Sequence, residues 1–288
     1  MRKSIFFPSC LFLIIAFVPP VQAQDDGKSN RFDDRFRIYL GGFFPDVNSK
    51  IAINGSIVNT QPIDVDNQLG IEDTSSVLWG GAAWHISRRN SLEIEFFKLN
   101  RDGFTNLIPN PIAVGDLIIE SGSINTSFDI SIGRLTYGFS VVRGDRMDIQ
   151  LKAGLHVVDM SATLQLAGAV CDVTMGQMPP GCPGGQTPPD ESEEFTAPLP
   201  HFGGSFRYAI TPTIGARFEV IGFAIELDNI DGRLVEIDTD IVWYPWRHWG
   251  FGAGVRYFYV DVESQGLELN GKFEFEYFGP AVYVIATF

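Results

Sequence analysis

The sequence predicts an all-β fold: a closed antiparallel transmembrane β-barrel of about ten strands, with eight or twelve as the alternatives, short periplasmic turns and long extracellular loops. Three observations predict it. Segment after segment alternates apolar and polar residues with period two, and the charges keep to one parity, as a sheet with lipid on one face and a polar lumen on the other requires. The long apolar run, Ile5 to Val18, falls short of the roughly 20 residues a spanning helix needs. Every second connection is short, while those between are generally longer and more acidic. With no water in hydrocarbon to satisfy backbone N–H and C=O groups, such strands must pair all round and close.

The chain begins as an exported one. Arg2 and Lys3, the apolar run and the small-residue exit Val21-Gln22-Ala23 make residues 1–23 a secretory signal peptide. Residues 24–34 read as a flexible periplasmic leader and 35–288 as the barrel. The net charge is −14; without Arg2 and Lys3 there remain 19 basic and 35 acidic residues, −16, which argues against nucleic acid as a partner and gives no support for docking on an anionic lipid surface. Composition, 45% hydrophobic and 19% charged, suits a folded chain and excludes a disordered one. Beyond the leader two cysteines remain, Cys171 and Cys182, and an oxidising compartment favours a disulfide that ties off a surface loop. A metal or redox pair is the lesser alternative, since no histidine lies between them.

The strands follow in order. The first, about Arg35 to Phe44, sets Ile38, Leu40 and Gly42 against Arg37, Tyr39 and Gly41. Residues 45–75 read as a long acidic loop with a strand extension around Ile51 to Ile53. Val77 to Ile86 is the second strand, and the basic turn Ser87-Arg88-Arg89-Asn90 leads to Ser91–Leu99, where Leu92, Ile94 and Phe96 alternate with Glu93 and Glu95. Arg101 to Gly122 reads as a loop. In the next strand Leu135, Tyr137, Phe139 and Val141 form one apolar face, yet Phe128, Ile130 and Ile132 fall on the other parity. Either a bulge near Gly133 shifts the register, or the strand projects beyond the membrane and its upper apolar set points inward; the second reading is preferred. Met147 to Val157 alternates most cleanly, Ala167 to Pro200 reads as the longest loop, and Phe202–Ile210, Ile214–Ile225, Leu234–Tyr244, Trp249–Glu263 and Lys272–Phe288 complete the set.

On the parity opposite the lipid lie Arg37, Arg134, Lys152, Arg207, Arg217 and Arg256 with Glu93, Glu95, Asp148, Glu219, Glu236, Asp238 and Asp240. The signs nearly balance, and a lumen of about ten strands is narrow enough for side chains to fill. The expectation is an ion-pair network that plugs the barrel, because unpaired charges there are costly to bury; the sharper alternative is a narrow polar pore. Trp84, Trp243, Trp246 and Trp249 fall at the short-turn end and read as an aromatic girdle. Gly250, Gly252 and Gly254 lie within a strand with no helix after it, so they are expected to make room for facing side chains rather than to cradle phosphate. A hydrolase would need a histidine with a carboxylate or serine at the outer mouth, and His201 beside the acidic loop is the candidate, without an omptin motif around it. Asp228, Asp231 and the acidic loops could hold Ca²⁺ or Mg²⁺ among lipopolysaccharide phosphates, although Asp-Gly at 231–232 is more simply a turn. No cofactor is called for.

The stretches YLGGFFP (Tyr39 to Pro45), APLPHFGGSFRYAITP (Ala197 to Pro212), RHWGFGAGVRYFYVDVE (Arg247 to Glu263) and YFGPAVYVIATF (Tyr277 to Phe288) resemble a family of Gram-negative outer-membrane β-barrel proteins of unassigned biochemical role, with small barrels of the OmpA and OmpW type as broader relatives. These are strand and turn signatures, so the resemblance implies fold, topology and location in the cell outer membrane, and brings no functional residue. It also makes the last strand, closing on Phe288, the assembly signal read by the barrel-assembly machinery. The expected partners are outer-membrane lipid, lipopolysaccharide and that machinery, around a monomer. The expected role is structural or surface-exposed; a narrow channel for small polar or hydrophobic solutes is the alternative and an outer-membrane hydrolase the third.

Overall fold

The computed structural model describes residues 34–53, 63–64, 71, 76–105, 112–114, 117–172, 191–227, 230–265 and 270–288. Every element in them is a strand: β1 (Phe36–Phe43), β2 (Asp46–Ile53), β3 (Ile63–Asp64), β4 (Val77–His85), β5 (Asn90–Thr105), β6 (Ile112–Val114), β7 (Leu117–Arg143), β8 (Met147–Asp172), β9 (Glu191–Ala209), β10 (Ile214–Leu227), β11 (Ile230–Trp243), β12 (Trp249–Gln265) and β13 (Asn270–Thr287). Neighbours pair antiparallel in the order β1-β4-β5-β7-β8-β9-β10-β11-β12-β13, and β13 returns to β1, Arg37 opposite Thr287 and Phe43 opposite Ala281. The sheet is therefore a closed barrel. β2 continues β1 past Phe44-Pro45 along the same partner, from Asp46 opposite Phe278 to Ile53 opposite Gly271. Counting β1 and β2 as one bent strand gives ten staves, with β3 and β6 added at one rim. The signal peptide and the leader up to residue 33 fall outside the described residues.

One parity faces inward along each strand, interrupted in β7 by irregularities at Ile119/Ser121 and Ser140/Val142, and in several strands the chemistry of the two faces exchanges partway up. In β5, Ile94 and Phe96 face out and Glu93 and Glu95 in; a few residues on, Lys98 and Asn100 are exposed while Phe97 and Leu99 are buried. In β7, Leu135, Tyr137 and Phe139 are exposed over Arg134 and Thr136, whereas Phe128, Ile130 and Ile132 turn inward beneath exterior Ser127, Asp129 and Ser131. β8 does the same across Val157 and Val158, and in β13 the exterior changes from Phe278 to Glu276 while the interior stays apolar on both sides of the change. The lower zone suits lipid outside and polar groups inside; the upper zone suits water outside and an apolar core. No register shift occurs near Gly133; the irregularity in this part of β7 lies at Ser140/Val142.

The strands are consequently longer than a membrane crossing requires. β7 has 27 residues and β8 has 26, against about 9 to 11 for a tilted span. At about 3.3 Å per residue and a tilt near 40°, β7 rises roughly 70 Å, over twice the ~25 Å apolar belt of such barrels. Several stretches expected as loops are strand instead: Asp46 to Lys50, which joins the extension expected around Ile51 to Ile53, the end of β5 to Thr105, the start of β7, and the segments of β8 and β9 flanking residues 173–190. Above the belt a β-strand shows polar residues outward, and so reads as loop to an eye tuned to lipid-facing strands. The connections at 86–89, 144–146, 210–213 and 244–248 gather at one end. At the other, only residues 228–229 and 266–269 separate the strands of two hairpins, so the extra length there lies in strand rather than in loop.

Candidate functional site: the filled lumen

The lower lumen is built from charged side chains at alternate positions of facing strands. Arg134 (β7) reaches across to β10 and β11, its Nη1 3.0 Å from both Glu219 Oε1 and Glu236 Oε1, while its Nη2 lies 3.2 Å from Glu95 Oε2 on neighbouring β5. Arg256 (β12) donates to Glu95 Oε1 at 2.8 Å and to Asp238 Oδ2 at 3.0 Å, with its guanidinium carbon 3.9 Å from the centre of the Trp79 ring. Lys152 (β8) binds Glu93 at 3.0 Å and also Glu219. Arg217 (β10) donates through Nε to Asp240 at 2.8 Å and stands 3.6 Å from Glu93. Nearly all of these residues are under a tenth exposed.

The network holds four of the expected cations against six of the expected carboxylates. Several of the remaining lone pairs are met by groups that charge counting passes over, while Asp238 Oδ1 is buried without a hydrogen-bond partner among the described residues. The Tyr39 hydroxyl lies between Glu93 (3.0 Å) and Glu95 (2.8 Å), Tyr283 donates to Asp240 at 2.5 Å, and His156 Nε2 is 2.9 Å from Glu236. Low dielectric strengthens such bonds and makes any missing partner expensive. Glycines open the space. A Cβ at Gly252 would overlap the Tyr283 ring, and one at Gly154 would press on the His201 imidazole.

Towards the short-turn end a smaller group stands apart. Arg207 pairs with Asp148, whose Oδ2 also accepts from Gln150 at 3.2 Å, and Arg207 Nη2 lies 3.4 Å from His85 Nε2. Arg37 enters this region from β1, without an ion pair among the described residues. Trp84, Trp243, Trp246 and Trp249 are all exposed beside the turns at this end. Phe288 is tied by backbone hydrogen bonds to Arg35 and Phe36, its ring stacked on His248 with centroids 5.9 Å apart. Cys171 is the penultimate residue of β8, opposite Ile118; Cys182 lies outside the described residues, and with it the expected disulfide.

Over the ionic layer sits an apolar one that the sequence reading did not assemble: Phe97, Phe128, Phe258, Phe275 and Tyr277 with aliphatic neighbours such as Leu99, Ile130 and Leu234. The rings pack edge-on and stacked, Phe258 on Tyr277 at 5.2 Å and Phe275 against Tyr277 at 5.9 Å. A void of about 10 Å³ at the junction, between Glu95, Arg134, His156, Glu236 and these rings, has room for about one water. His201 is a correction to the outer-mouth expectation. It is fully buried, Nε2 3.1 Å from Thr136 Oγ1 and its ring 4.6 Å from that of His156, because β8 and β9 continue well above it. Asp231 lies within β11 opposite Glu263, so the turn expected at 231–232 is strand. Among the described residues no three His, Cys, Asp or Glu side chains are grouped to hold a metal ion.

No family model and no curated relative matches the sequence. Solved structures with a similar fold include the outer-membrane protease OmpT of Escherichia coli, at 9% identity and TM-score 0.54, covering 91% of this chain and 99% of that one. The transport unit of the E. coli autotransporter AIDA-I aligns at 7% identity and TM-score 0.42 over 93% of each chain. The attachment invasion locus protein Ail of Yersinia pestis aligns at 9% identity and TM-score 0.33, covering 87% and 98%. The OmpT likeness establishes an outer-membrane-type barrel fold; at that identity it transfers no residue role.

Proposed function

We propose that this chain is an integral outer-membrane barrel that does not conduct, acting as a structural, surface-exposed cylinder whose wall stands well clear of the outer leaflet, without enzymatic activity. The observation that carries the reading is the double filling of the lumen: an ion-paired layer closed by an aromatic layer, with space for about one water between them. The exterior apolar zone, with four indoles at its short-turn edge, supports a bilayer setting with that edge toward the periplasm. In this reading Phe288 is the signal met by the assembly machinery, lipid and lipopolysaccharide are the lateral contacts, and the barrel is a monomer. The hydrolase alternative loses its one candidate histidine to burial. The test is single-channel recording of refolded full-length protein in planar bilayers. The expected record is flat; resolved current steps in the wild type would establish the narrow-channel alternative in its place.

A further inference from the structure

We infer that the short-turn mouth of the barrel is a binding site for one small oxyanion, a phosphate or carboxylate group, held by Arg37 and Arg207. A cavity of about 70 Å³ opens there, walled by Arg37, Arg207 and Arg217 together with Tyr39, Tyr244 and Tyr283. Arg37 comes from β1 and Arg207 from β9, half a turn apart in the ten-strand ring, so two guanidiniums enter one space from opposite walls.

Charge accounting favours an anion. The carboxylates on the cavity floor are already engaged: Glu93 by Lys152, Arg217 and Tyr39, and Asp240 by Arg217 and Tyr283. Asp148 serves Arg207 from outside the cavity lining. Both Arg37 and Arg143 lie within electrostatic reach of Arg207, so three guanidiniums stand in one neighbourhood. Arg37 has no ion pair among the described residues, and its Nε is buried without an acceptor. A guanidinium fork presents parallel N–H donors suited to two oxygens of one oxyanion, which satisfies the donor and relieves the repulsion in one step.

Size restricts the ligand. The cavity offers about five times the space one water needs, enough for a tetrahedral oxyanion or a carboxylate and too little for a sugar or a nucleotide base. The filled lumen above leaves entry from the short-turn end alone. Either a soluble anion or a phospholipid headgroup would bring the same chemistry.

The experiment is ³¹P line broadening of inorganic phosphate by refolded full-length protein in a phosphate-free detergent, at constant ionic strength maintained with chloride. Saturable broadening in the wild type, lost in Arg37→Gln and kept in Arg233→Gln at the far end of β11, is the expected result. Arg37→Lys, which keeps the charge without the fork, should weaken binding about tenfold, and it serves in place of Arg37→Gln if that variant does not refold. Absence of saturable broadening in the wild type, or undiminished broadening in the Arg37 variants, would overturn the inference. Repeating the titration in phosphatidylcholine vesicles with and without phosphatidylglycerol separates the sources: phosphate binding suppressed by phosphatidylglycerol assigns the site to a headgroup, and unchanged binding assigns it to a soluble anion. The detergent arm does not depend on which membrane houses the barrel.

Discussion

Replacing Arg134 with Met keeps most of the side-chain volume and removes the charge on which three strands converge. Its two Nη atoms serve Glu95, Glu219 and Glu236 at 3.0 to 3.2 Å, with Asp238 a further 3.9 Å contact, and the side chain is 2% exposed. Each such pair is worth about 5 kcal/mol of gross attraction at an effective dielectric of 20. Most of that offsets the penalty of desolvation, and what a mutation exposes is the carboxylates left behind. Breaking a buried pair from one side costs about 3–5 kcal/mol. Here three cations would face six carboxylates, so the upper half of that range is expected, a fall of about three decades or more in the folding equilibrium. The measurement is urea unfolding from phosphatidylcholine vesicles followed by tryptophan fluorescence. Arg134→Lys should fall between the two, and a double-mutant cycle with Glu219→Gln should return a coupling above about 1 kcal/mol. A midpoint for Arg134→Met within about 1 kcal/mol of wild type would refute the claim that the ionic layer is a single interdependent structure.

Other expectations follow from the same coordinates. Leu151→Arg on the lipid-facing part of β8 should cost about 2–4 kcal/mol, whereas Asp159→Arg, eight residues along the same exposed face, should lie within about 0.5 kcal/mol; equal costs in vesicle unfolding would mean that the belt is misplaced. Phe258→Ala, hollowing the aromatic layer where that ring stacks on Tyr277, should cost about 3–5 kcal/mol without opening a conducting path, since the ionic layer beneath is intact; stability comes from the same unfolding assay and conduction from planar-bilayer recording. Gly252→Val forces the Tyr283 ring off Asp240 and should cost at least about 1–3 kcal/mol, with the refolded fraction on an unheated gel reduced. Spin labels at positions 96 and 98 should differ in kind, the first relaxed by oxygen dissolved in the acyl chains and the second by a water-soluble nickel chelate.

The barrel was legible in the sequence because its wall has unlike faces. Met147 to Val157 shows this best: six apolar residues point one way while Asp148, Gln150, Lys152 and His156 share the other. Which charges meet was not legible, since Arg134 and Glu236 lie 102 residues apart and their meeting depends on ring order and strand tilt. The hydroxyls of Tyr39 and Tyr283 carry no charge to count, so their hold on the carboxylates was invisible. The clearest misreadings share one cause. Asp46 to Lys50 reads as loop and His201 as a residue of the mouth because the lipid-facing pattern, the measure of strand length in the sequence, stops where the wall leaves the bilayer. The Phe128, Ile130 and Ile132 set was the available signal. The same inversion repeats at Phe97 and Leu99, and at Phe273 and Phe275.

The exchange of inside and outside chemistry between Phe96 and Lys98, or Val157 and Asp159, has a mechanical meaning. It gives the cylinder a waterline. Sinking by one pleat would drag Lys98 and Asp129 into hydrocarbon, and rising by one would lift greasy side chains into the aqueous phase, so immersion depth is held as stiffly as strand register. Whatever the rim carries is therefore presented at a constant height above the bilayer, tallest on the side of β7 and β8, even as the lipids around it exchange.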